Sequence, residues 1–508
     1  MPAPPSPQTP GEDEAGGIRF ASRRGRLILL ATVLGSGMAF LDGTVVNVAL
    51  PSIGEDLGAD LAGLQWTVNA YALTLAGLLL IGGSLGDHLG RRRVFAFGVA
   101  WFAVASLLCA VAPSIETLIA ARAIQGVGAA LLTPGSLALL EATFHPDDRG
   151  AAIGAWSGLA GVSTAFGPFL GGWLVEAVSW RLIFLINLPL AVVVLWASRA
   201  IPESRDPAAQ GVRLDWTGAV LTAVGLAGVT YALTEGPGAG WDDPAVVVLG
   251  LGGVACLAAF VLVEARGRHP MVPLGIFRSR TFSTANIMTF VVYGALGAAL
   301  FLLPIQLQQV AGYSPIQAGS ALIPMTIVML LLSTSAGRLS QRIGPRIPMG
   351  VGPIVAGGGL ALFTRIGEGA SYVTDVLPAV LVFALGMSIT VAPLNVTVLS
   401  AAGADRAGVA SAINNAVARV AGLLAVAVIP VVAGISGDDY LVPEAFDEGF
   451  RTGTLICAGL CVAGGVFTLI ALRNPPAPAE TEDVPPHCCL NGPPPEMPAD
   501  HPAAAAAS

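Results

Sequence analysis

The sequence predicts an all-α integral membrane protein with about 14 transmembrane helices. Of the 508 residues, 54% are hydrophobic and only 11% are charged, whereas about a quarter of the residues in a soluble domain are charged. Apolar stretches of about twenty residues recur along almost the whole chain, and each is long enough to cross a bilayer as a helix. Short polar segments that contain Arg, Pro or Gly separate these stretches. The chain is therefore expected to cross the membrane many times.

The apolar stretches follow one another at short intervals. The run after Arg26 is too long for the apolar core of a typical signal peptide, so we expect it to be the first permanent helix. Residues 1–18 and 474–508 are rich in Pro, Ala and acidic residues, and we expect them to form disordered cytoplasmic ends. The predicted spans start near residues 27, 65, 94, 117, 151, 182, 217, 244, 283, 315, 347, 374, 407 and 450.

An internal repeat indicates how the spans are grouped. The string 83–92 (GSLGDHLGRR) follows the second span, and the string 337–346 (GRLSQRIGPR) follows the tenth. Gly, Leu, Gly and the final Arg recur at the same spacing in both strings. Because transporters are often built from repeated helix sets, we expect two pseudo-symmetric six-helix bundles at residues 19–201 and 266–473. A linker and an inserted helix pair would occupy residues 202–265.

The basic residues predict the orientation of the chain, because cytoplasmic loops are enriched in Arg and Lys. All 25 basic residues are Arg. If the spans alternate, nearly all loop arginines lie on one side, and only Arg181, Arg365 and Arg451 lie on the other. We therefore predict a multi-pass protein of the cell membrane with both termini in the cytoplasm. The net charge of -8 is attributed to the solvated outer loops and the two tails.

Asp42 is the most unusual residue of the first span, because it lies about fifteen residues into the apolar run. An unpaired charge at bilayer depth costs several kcal/mol, so an intramembrane carboxylate is a candidate functional group. Asn47 is expected close to the same helical face, where it would give the carboxylate a polar neighbour. Asp42 is therefore a candidate functional residue, and Asn47 is a candidate for the wall of a substrate cavity.

Three further spans carry polar residues at helical spacing. In the fourth span, Arg122 and Gln125 lie on one stripe, so Arg122 either faces an interior cavity or reaches the outer interface. In the thirteenth span, Asn415 and Arg419 share a face, and Arg419 is either a second buried cation or an anchor at the cytoplasmic end. We predict that Gln125, Asn395 of the twelfth span and Asn415 line the same cavity as Asn47.

The string 83–92 has the features of a gating loop. Glycine allows a tight turn, Asp87 can pair with Arg91, and the arginines hold the loop on the cytoplasmic side. A plain positive-inside loop is the simpler alternative, but the second copy of the string favours a conformational latch. That copy has Gln341 in place of Asp87, so it lacks the charge pair. The candidate gating residues are Gly83, Asp87, Gly90, Arg91 and Arg92.

The fifth span combines glycines with a proline. Gly154, Gly158 and Gly161 precede the string 167–172 (GPFLGG). Small residues at such spacing allow close helix contact, and a proline can bend a helix. The glycines alone do not distinguish a functional motif from a generic packing helix. The candidate motif residues of this span are Gly167, Pro168, Gly171 and Gly172.

Other functional classes lack their characteristic residues. The sequence has no Gly-x-x-x-x-Gly-Lys-[Ser/Thr] loop and no Lys, so ATP-driven transport by this chain alone is not expected. It also lacks a Gly-x-Ser-x-Gly elbow and a His-Glu-x-x-His helix, so we do not expect an enzyme. The six cysteines form no disulfide or zinc pattern, and His487-Cys488-Cys489 in the tail is not expected to bind a metal. The expected partners are a small-molecule substrate, protons and the lipid bilayer, with no cofactor, no nucleic acid and no obligate protein partner.

Several of these strings resemble the major facilitator superfamily. Residues 83–92 resemble its signature loop, residues 118–130 are similar to its fourth-helix motif, and residues 167–172 resemble the antiporter motif of its exporters. Residues 41–51 and 180–189 resemble in particular the fourteen-helix drug/proton antiporter family. The resemblance covers roughly residues 27–472. Two positions depart from the family pattern, because His88 stands where Arg or Lys is usual and Ser163 where another glycine is common.

The resemblance implies a proton-coupled antiporter that exports hydrophobic or cationic drugs or antibiotics across the cytoplasmic membrane and confers resistance. Asp42 would carry the proton, and Arg122 would tune its binding or relay it. Asp87 and Arg91 would latch the outward-open state, and residues 167–168 would hinge or seal the fifth helix. Two alternatives remain open: a transporter of an endogenous metabolite, lipid or siderophore, and a non-transporting membrane sensor on the same scaffold.

Overall fold

The computed structural model describes residues 17–205, 215–267, 270–403 and 406–474. Within these ranges the chain is helical, with no strand and one isolated bridge between Ile18 and Phe144. The predicted all-α fold class is confirmed. Nearly all of the two predicted disordered ends, and the cluster His487-Cys488-Cys489, lie outside the described residues.

Sixteen α-helices follow one another through the described residues. Their bounds are α1 Arg23–Leu57, α2 Leu61–Leu89, α3 Arg91–Ala110, α4 Ile115–Thr143, α5 Pro146–Ala177, α6 Leu182–Leu185, α7 Asn187–Ala197, α8 Trp216–Ala239, α9 Pro244–Arg266, α10 Arg280–Ile305, α11 Pro315–Ser320, α12 Ile323–Ile343, α13 Arg346–Leu362, α14 Leu377–Ala402, α15 Ala407–Val432 and α16 Pro443–Ala471. Short 3-10 or π turns occur at Ser198–Ala200, Leu274–Arg278, Gln306–Val310, Phe363–Arg365, Tyr372–Val376 and Asp439–Leu441.

The helices account for the predicted spans. Thirteen helical segments among the described residues are long and apolar enough to cross a membrane, with α6–α7 and α11–α12 each forming one segment. Helix α5, with 32 residues, is a further long helix at the position of the fifth predicted span. A helix of that length extends for about 48 Å, which is more than the thickness of a hydrocarbon core.

Local sequence explains where the first helices begin and end. The Ser22 hydroxyl accepts from the Gly25 amide at 2.9 Å and caps α1, and the Asp60 carboxylate caps α2 in the same way through the Gly63 amide at 2.9 Å. Such caps satisfy amides that have no partner inside the helix. Helix α1 ends at Gly58, whose φ of 63° is a left-handed conformation that glycine adopts without strain.

The spans pack mainly within two sets. Helices α1–α7 contact one another to form the N-terminal set, and α10–α16 form the C-terminal set. Helices α8 and α9 pack on each other, and α8 contacts α2 and α15. Helix α9 is the span with the least burial, with only 11% of its apolar window inside the protein. Its remaining apolar surface is suited to contact with lipid tails rather than with other helices.

The two sets are tied together on one face of the molecule. We call the face on which α1 begins and α16 ends the terminal side, and the opposite face the distal side. Side-chain and backbone hydrogen bonds join the sets at or near the distal ends of the spans. They run from Gln65 Nε2 to the Val426 carbonyl at 2.8 Å, from Gln308 Nε2 to the Val48 carbonyl at 3.0 Å, from the Leu61 amide to the Gly437 carbonyl at 3.0 Å, from the Tyr440 hydroxyl to the Ala59 carbonyl at 2.5 Å, and from the Ser314 hydroxyl to Glu176 Oε2 at 2.6 Å.

We expect two adjacent glycines of α13 to respond differently to substitution by alanine. A Cβ at Gly359 would overlap the backbone of Phe383 in α14, whereas a Cβ at Gly358 would meet nothing within 4 Å. Gly359→Ala should lower the thermal unfolding temperature of the purified protein, because overpacking costs about 1–3 kcal/mol. Gly358→Ala should leave it unchanged or raise it, since alanine favours a helix by about 1 kcal/mol. Equal effects of the two substitutions would contradict this account of the α13–α14 contact.

Candidate functional site

Asp42 lies at the centre of a buried polar cluster. Its carboxylate has no exposed surface, and it forms an ion pair with Arg122, whose side chain is 1% exposed. Asp42 Oδ2 accepts from Arg122 Nη1, and Asp42 Oδ1 accepts from Gln125 Nε2 at 2.8 Å and from Asn187 Nδ2 at 3.4 Å. Both carboxylate oxygens therefore have partners. Arg122 points into the protein, so the alternative that it reaches the outer interface is wrong.

Neutral groups also hold the Arg122 guanidinium. Its Nε donates to the Thr67 carbonyl at 3.0 Å, and its Nη1 donates to Gln125 Oε1 at 2.6 Å. Its Cζ lies 4.3 Å from the centroid of the Tyr71 ring, a distance typical of a cation–π interaction. The cation is thus placed by a backbone carbonyl, an amide oxygen and an aromatic face as well as by the carboxylate.

A second layer of polar groups surrounds the ion pair. The Ser106 hydroxyl accepts from Gln125 Nε2 at 2.9 Å and from Asn187 Nδ2 at 3.3 Å. The Cys109 thiol lies 3.6 Å from Gln125 Oε1. Helices α1, α2, α3, α4 and α7 all supply groups to this cluster, which we call the Asp42 cluster.

Sequence reasoning missed Asn187, Ser106, Tyr71, Thr67 and Cys109 as members of the Asp42 cluster. Asn187 lies in the string 180–189, so its position as an amide within an apolar run was a signal that could have identified it. Ser106 and Tyr71 carry no such signal, because small hydroxyl residues and aromatic residues are common in membrane helices. Thr67 contributes its backbone carbonyl, which no side-chain pattern reveals.

Asn47 is not part of the Asp42 cluster. Its amide Nδ2 lies 3.5 Å from the Gly43 carbonyl of its own helix, and its side-chain oxygen is buried with no hydrogen-bond partner among the described residues. Five residues along an α-helix correspond to a rotation of about 140°, so Asn47 faces away from Asp42. The expectation that it neighbours the carboxylate is wrong.

The predicted residues of the C-terminal set lie apart from the Asp42 cluster. Asn415 is exposed, and its amide donates to the Ser411 carbonyl at 3.1 Å. Asn395 is exposed on α14 and forms no hydrogen bond within the described part of the chain. The neighbouring Asn414 is buried instead, and it donates to the Thr289 hydroxyl of α10 at 2.6 Å. Asn414 therefore has a packing role within the C-terminal set.

Arg419 lies opposite the N-terminal set. Its Cζ is 5.8 Å from the ring centroid of Phe40 in α1, so this face of α15 is directed across the middle of the molecule. Asn415 precedes it by one helical turn on the same face. Of the two alternatives for Arg419, the structure supports a cation inside the protein rather than an anchor at a helix end.

The predicted gating loop is almost entirely helical, because residues 83–89 end α2, α3 begins at Arg91 and only Gly90 joins the two helices. The expectation of a loop is therefore wrong, and this junction is anchored within the N-terminal set. Asp87 Oδ1 accepts from Arg91 Nε at 2.8 Å and forms an ion pair with the same side chain. The Arg92 amide donates to Glu203 Oε1 at 3.2 Å, and Arg92 Nη1 donates to the Ile201 carbonyl at 3.1 Å. The segment that follows α7 therefore holds the start of α3, and sequence reasoning missed Glu203.

Gly83 and Gly90 have different roles. Gly90 has a φ of 114°, which favours glycine, and a Cβ there would overlap the Glu203 carboxylate. A Cβ at Gly83 would be 3.5 Å from the Pro134 side chain, which is an ordinary contact. Steric fit therefore requires glycine at position 90 but not at position 83.

The glycines of α5 bring it into close contact with both sets. A Cβ at Gly167 would overlap the Thr44 hydroxyl of α1, and a Cβ at Gly171 would be 3.0 Å from the Val45 carbonyl oxygen. On the other face, a Cβ at Gly172 would overlap the carbonyl of Pro315 in the C-terminal set.

The contact of α5 with the C-terminal set is reciprocal. A Cβ at Gly319 of α11 would overlap the Pro168 carbonyl. Small residues let two backbones approach in this way. The string 167–172 is therefore where α5 packs against α1 and closes the distal side against α11.

The sequence is similar to known transport proteins. Residues 32–426 match the family model described as the Major Facilitator Superfamily. The puromycin resistance protein pur8 of Streptomyces alboniger is 36% identical, over 88% of this chain and 90% of that protein. The tetracenomycin C resistance and export protein of Streptomyces glaucescens is 34% identical, over 83% of this chain and 79% of that protein. The methylenomycin A resistance protein of Bacillus subtilis (strain 168) is 36% identical, over 82% of this chain and 90% of that protein.

Solved structures share the fold at much lower sequence identity. The crystal structure of a bacterial homolog to the human lysosomal transporter Spinster has a TM-score of 0.65 and 17% identity. The superposition covers 89% of this chain and 97% of the chain of that transporter. The nucleoside transporter NupG has a TM-score of 0.61 and 14% identity, over 88% of this chain and 100% of its own.

We expect Gly172→Ala to weaken the closure of the distal side. The new methyl group would collide with the Pro315 backbone, which cannot move without separating α5 from α11, and overpacking of this kind costs about 1–3 kcal/mol. Ala59, which is buried at the distal side under the Tyr440 hydroxyl, supplies a reporter. In a background free of native cysteines, Ala59→Cys should react several-fold faster with a water-soluble maleimide when Gly172→Ala is present.

Gly158→Ala is the matched control, because a Cβ at Gly158 of the same helix would meet nothing within 4 Å. It should leave the labelling rate of the reporter unchanged. Identical labelling rates with Gly172→Ala and with Gly158→Ala would show that the α5–α11 contact does not hold the distal side closed.

Proposed function

The chain belongs to the major facilitator superfamily, and we propose that it is a proton-coupled antiporter that exports antibiotics or related drugs across the cytoplasmic membrane. The family and the many apolar helices identify a multi-pass membrane transporter rather than an enzyme. The similar proteins are named for resistance to, or export of, puromycin, tetracenomycin C and methylenomycin A. Since these relatives are resistance proteins, export is the direction of transport that we propose.

The buried Asp42–Arg122 ion pair is the observation on which proton coupling rests. Taking two charges out of water costs several kcal/mol per ion, and apolar residues of similar volume would often be at least as stable. A pair retained at this depth therefore points to a function, and uptake of a proton by the carboxylate supplies one. Proton binding would neutralise Asp42 and abolish its attraction to Arg122.

The neutral partners of Arg122 make such a step physically reasonable. With Asp42 protonated, the guanidinium keeps the Thr67 carbonyl, the Gln125 oxygen and the Tyr71 ring as partners. The cation therefore stays solvated by the protein while the carboxyl group changes its charge. Protonation removes the charge attraction between Asp42 and Arg122, and this attraction holds α1 against α4. Protonation would thus loosen α1 without expelling the cation.

The conformation of the chain fits the start of an export cycle. The hydrogen bonds that join the two sets lie on the distal side, and the glycines of α5 close that side against α11. With the orientation predicted from the arginines, the distal side is external. The substrate would then enter from the cytoplasm, and rocking of the two sets would open the distal side. We propose that the Asp87–Arg91 pair latches the opposite, outward-open state.

We expect Asp42→Asn to abolish proton-driven efflux in proteoliposomes with an imposed pH difference. The substitution removes the titrating group, and it also leaves Arg122 buried without its counter-ion, which costs about 3–5 kcal/mol when one partner of a buried pair is removed. The single variant should therefore also unfold at a lower temperature. The double variant Asp42→Asn/Arg122→Gln carries neither charge, so it should recover most of the thermal stability while remaining uncoupled.

The control is Asp56→Asn, which removes a carboxylate of the same helix that pairs with Arg181 at 2.6 Å near the distal surface. Its side chain is half exposed, so the substitution should preserve both stability and efflux. If vesicles with Asp42→Asn still accumulate a drug that the wild-type protein exports, against its gradient and in response to the pH difference, then Asp42 is not the proton carrier.

A further inference from the structure

Arg419 is the deep cation that the proposed proton site does not use. It is close to the midpoint of α15, which extends over 26 residues, so it lies near the centre of the bilayer. A charged residue at that depth is expensive unless it faces a water-filled space and has a partner. Its side chain is partly exposed, so it has access to such a space.

The charges near the middle of the spans do not balance. Asp42 and Arg122 neutralise each other. Within the described parts of the chain, Arg419 has no carboxylate within ion-pair distance and no hydrogen bond to its guanidinium. Because an arginine stays protonated in proteins, the centre of the molecule carries one uncompensated positive charge.

An aromatic ring of the other set faces Arg419. The ring of Phe40 in α1 lies 5.8 Å from its Cζ. Asn415 adds an exposed amide one turn towards the terminal side. A cation with free N–H donors, flanked by an aromatic ring and an amide, has the composition of a ligand site.

We propose that Arg419 anchors the exported compound by binding a carboxylate or phenolate group, while the ring of Phe40 contacts its apolar part. A guanidinium presents a planar set of donors that matches a carboxylate in a two-point contact. The same charge repels a cationic compound in this poorly solvated space. The preferred substrates are thus amphipathic anions, whereas the sequence led us to expect hydrophobic or cationic drugs.

This assignment rests on the proposed export function, and it constrains how proton and substrate exchange. Asp42 is enclosed by Arg122, Gln125 and Asn187, so the substrate does not share its proton-binding group. Exchange therefore depends on which side of the membrane each group faces, not on competition for one charge.

Two xanthene dyes of similar shape and opposite charge test the proposal. The purified full-length protein is titrated with fluorescein, which is anionic, and with rhodamine 123, which is cationic, and binding is followed by fluorescence anisotropy. The wild-type protein should bind fluorescein more tightly. Arg419→Gln should weaken fluorescein binding about tenfold or more, because hydrogen bonds to charged groups are among the stronger ones. It should leave rhodamine 123 binding unchanged or make it tighter.

Arg419→Lys keeps the charge and loses the planar donors. Its affinity for fluorescein should therefore lie between those of the wild-type protein and Arg419→Gln. Arg365→Gln is the control, because Arg365 lies near the distal surface and is paired with Asp375 at 3.6 Å. It should bind both dyes as the wild-type protein does. If Arg419→Gln weakens the binding of both dyes equally, Arg419 has a packing role and the proposal is overturned. Unchanged binding of fluorescein to Arg419→Gln would also overturn the proposal.

The binding measurement needs no proton gradient, so it separates this proposal from the proposed function. A protein that binds fluorescein through Arg419 but does not export it when a pH difference is imposed would contradict proton-coupled export and support the anion site. A protein that exports drugs against a gradient, with a preference for rhodamine 123 that Arg419→Gln leaves intact, would overturn the anion site and leave export standing.

Discussion

The ion pair between Asp42 and Arg122 is the constraint on which the N-terminal set depends. Two charges that are both out of contact with water must find partners nearby, and here α1, α2, α3, α4 and α7 converge to supply them. Gly126 lets α2 and α4 approach closely beside the pair, since a Cβ there would overlap the Thr74 hydroxyl. The polar cluster and the close helix contacts are therefore two aspects of one packing arrangement, because a buried charge is tolerated only where its neighbours are fixed.

Helix α1 connects the ion pair to the closure of the distal side. Asp42 faces α4, whereas Thr44 and Val45, only two and three residues further on, contact Gly167 and Gly171 of α5. The opposite face of α5 meets α11 of the C-terminal set at Gly172. A movement of α1 that followed neutralisation of Asp42 would thus be transmitted through backbones in direct contact. Glycine contacts suit this role because they leave no flexible side chain to absorb a displacement.

The sequence predicted the spans well because the requirement to satisfy every backbone group in lipid leaves a helix as the simplest solution for each apolar run. The family resemblance connected Arg122 with Asp42, but Gln125, which was predicted to line the substrate cavity, is fully buried and bonds to both charges instead. Sequence reasoning failed at Asn47, where proximity in sequence was mistaken for a shared helical face. Asn187, Ser106 and Tyr71 come from other helices, and which faces of distant helices meet is decided by tertiary packing. The Asp87–Arg91 pair was predictable because its two residues are only four positions apart in the sequence.

Arg122 and Arg419 show that identical residues at similar depth acquire different chemistry from their partners. Arg122 has a carboxylate, a carbonyl, an amide oxygen and an aromatic face, so its hydrogen-bonding capacity is largely used within the protein. Arg419 has one aromatic ring beside it and donors left over. Both arginines keep their positive charge in proteins, but only the charge of Arg122 is balanced by a carboxylate within the described residues. Under the two proposals, proton binding therefore belongs to the enclosed Asp42 and substrate binding to the partly exposed Arg419, so the two events take place on different groups.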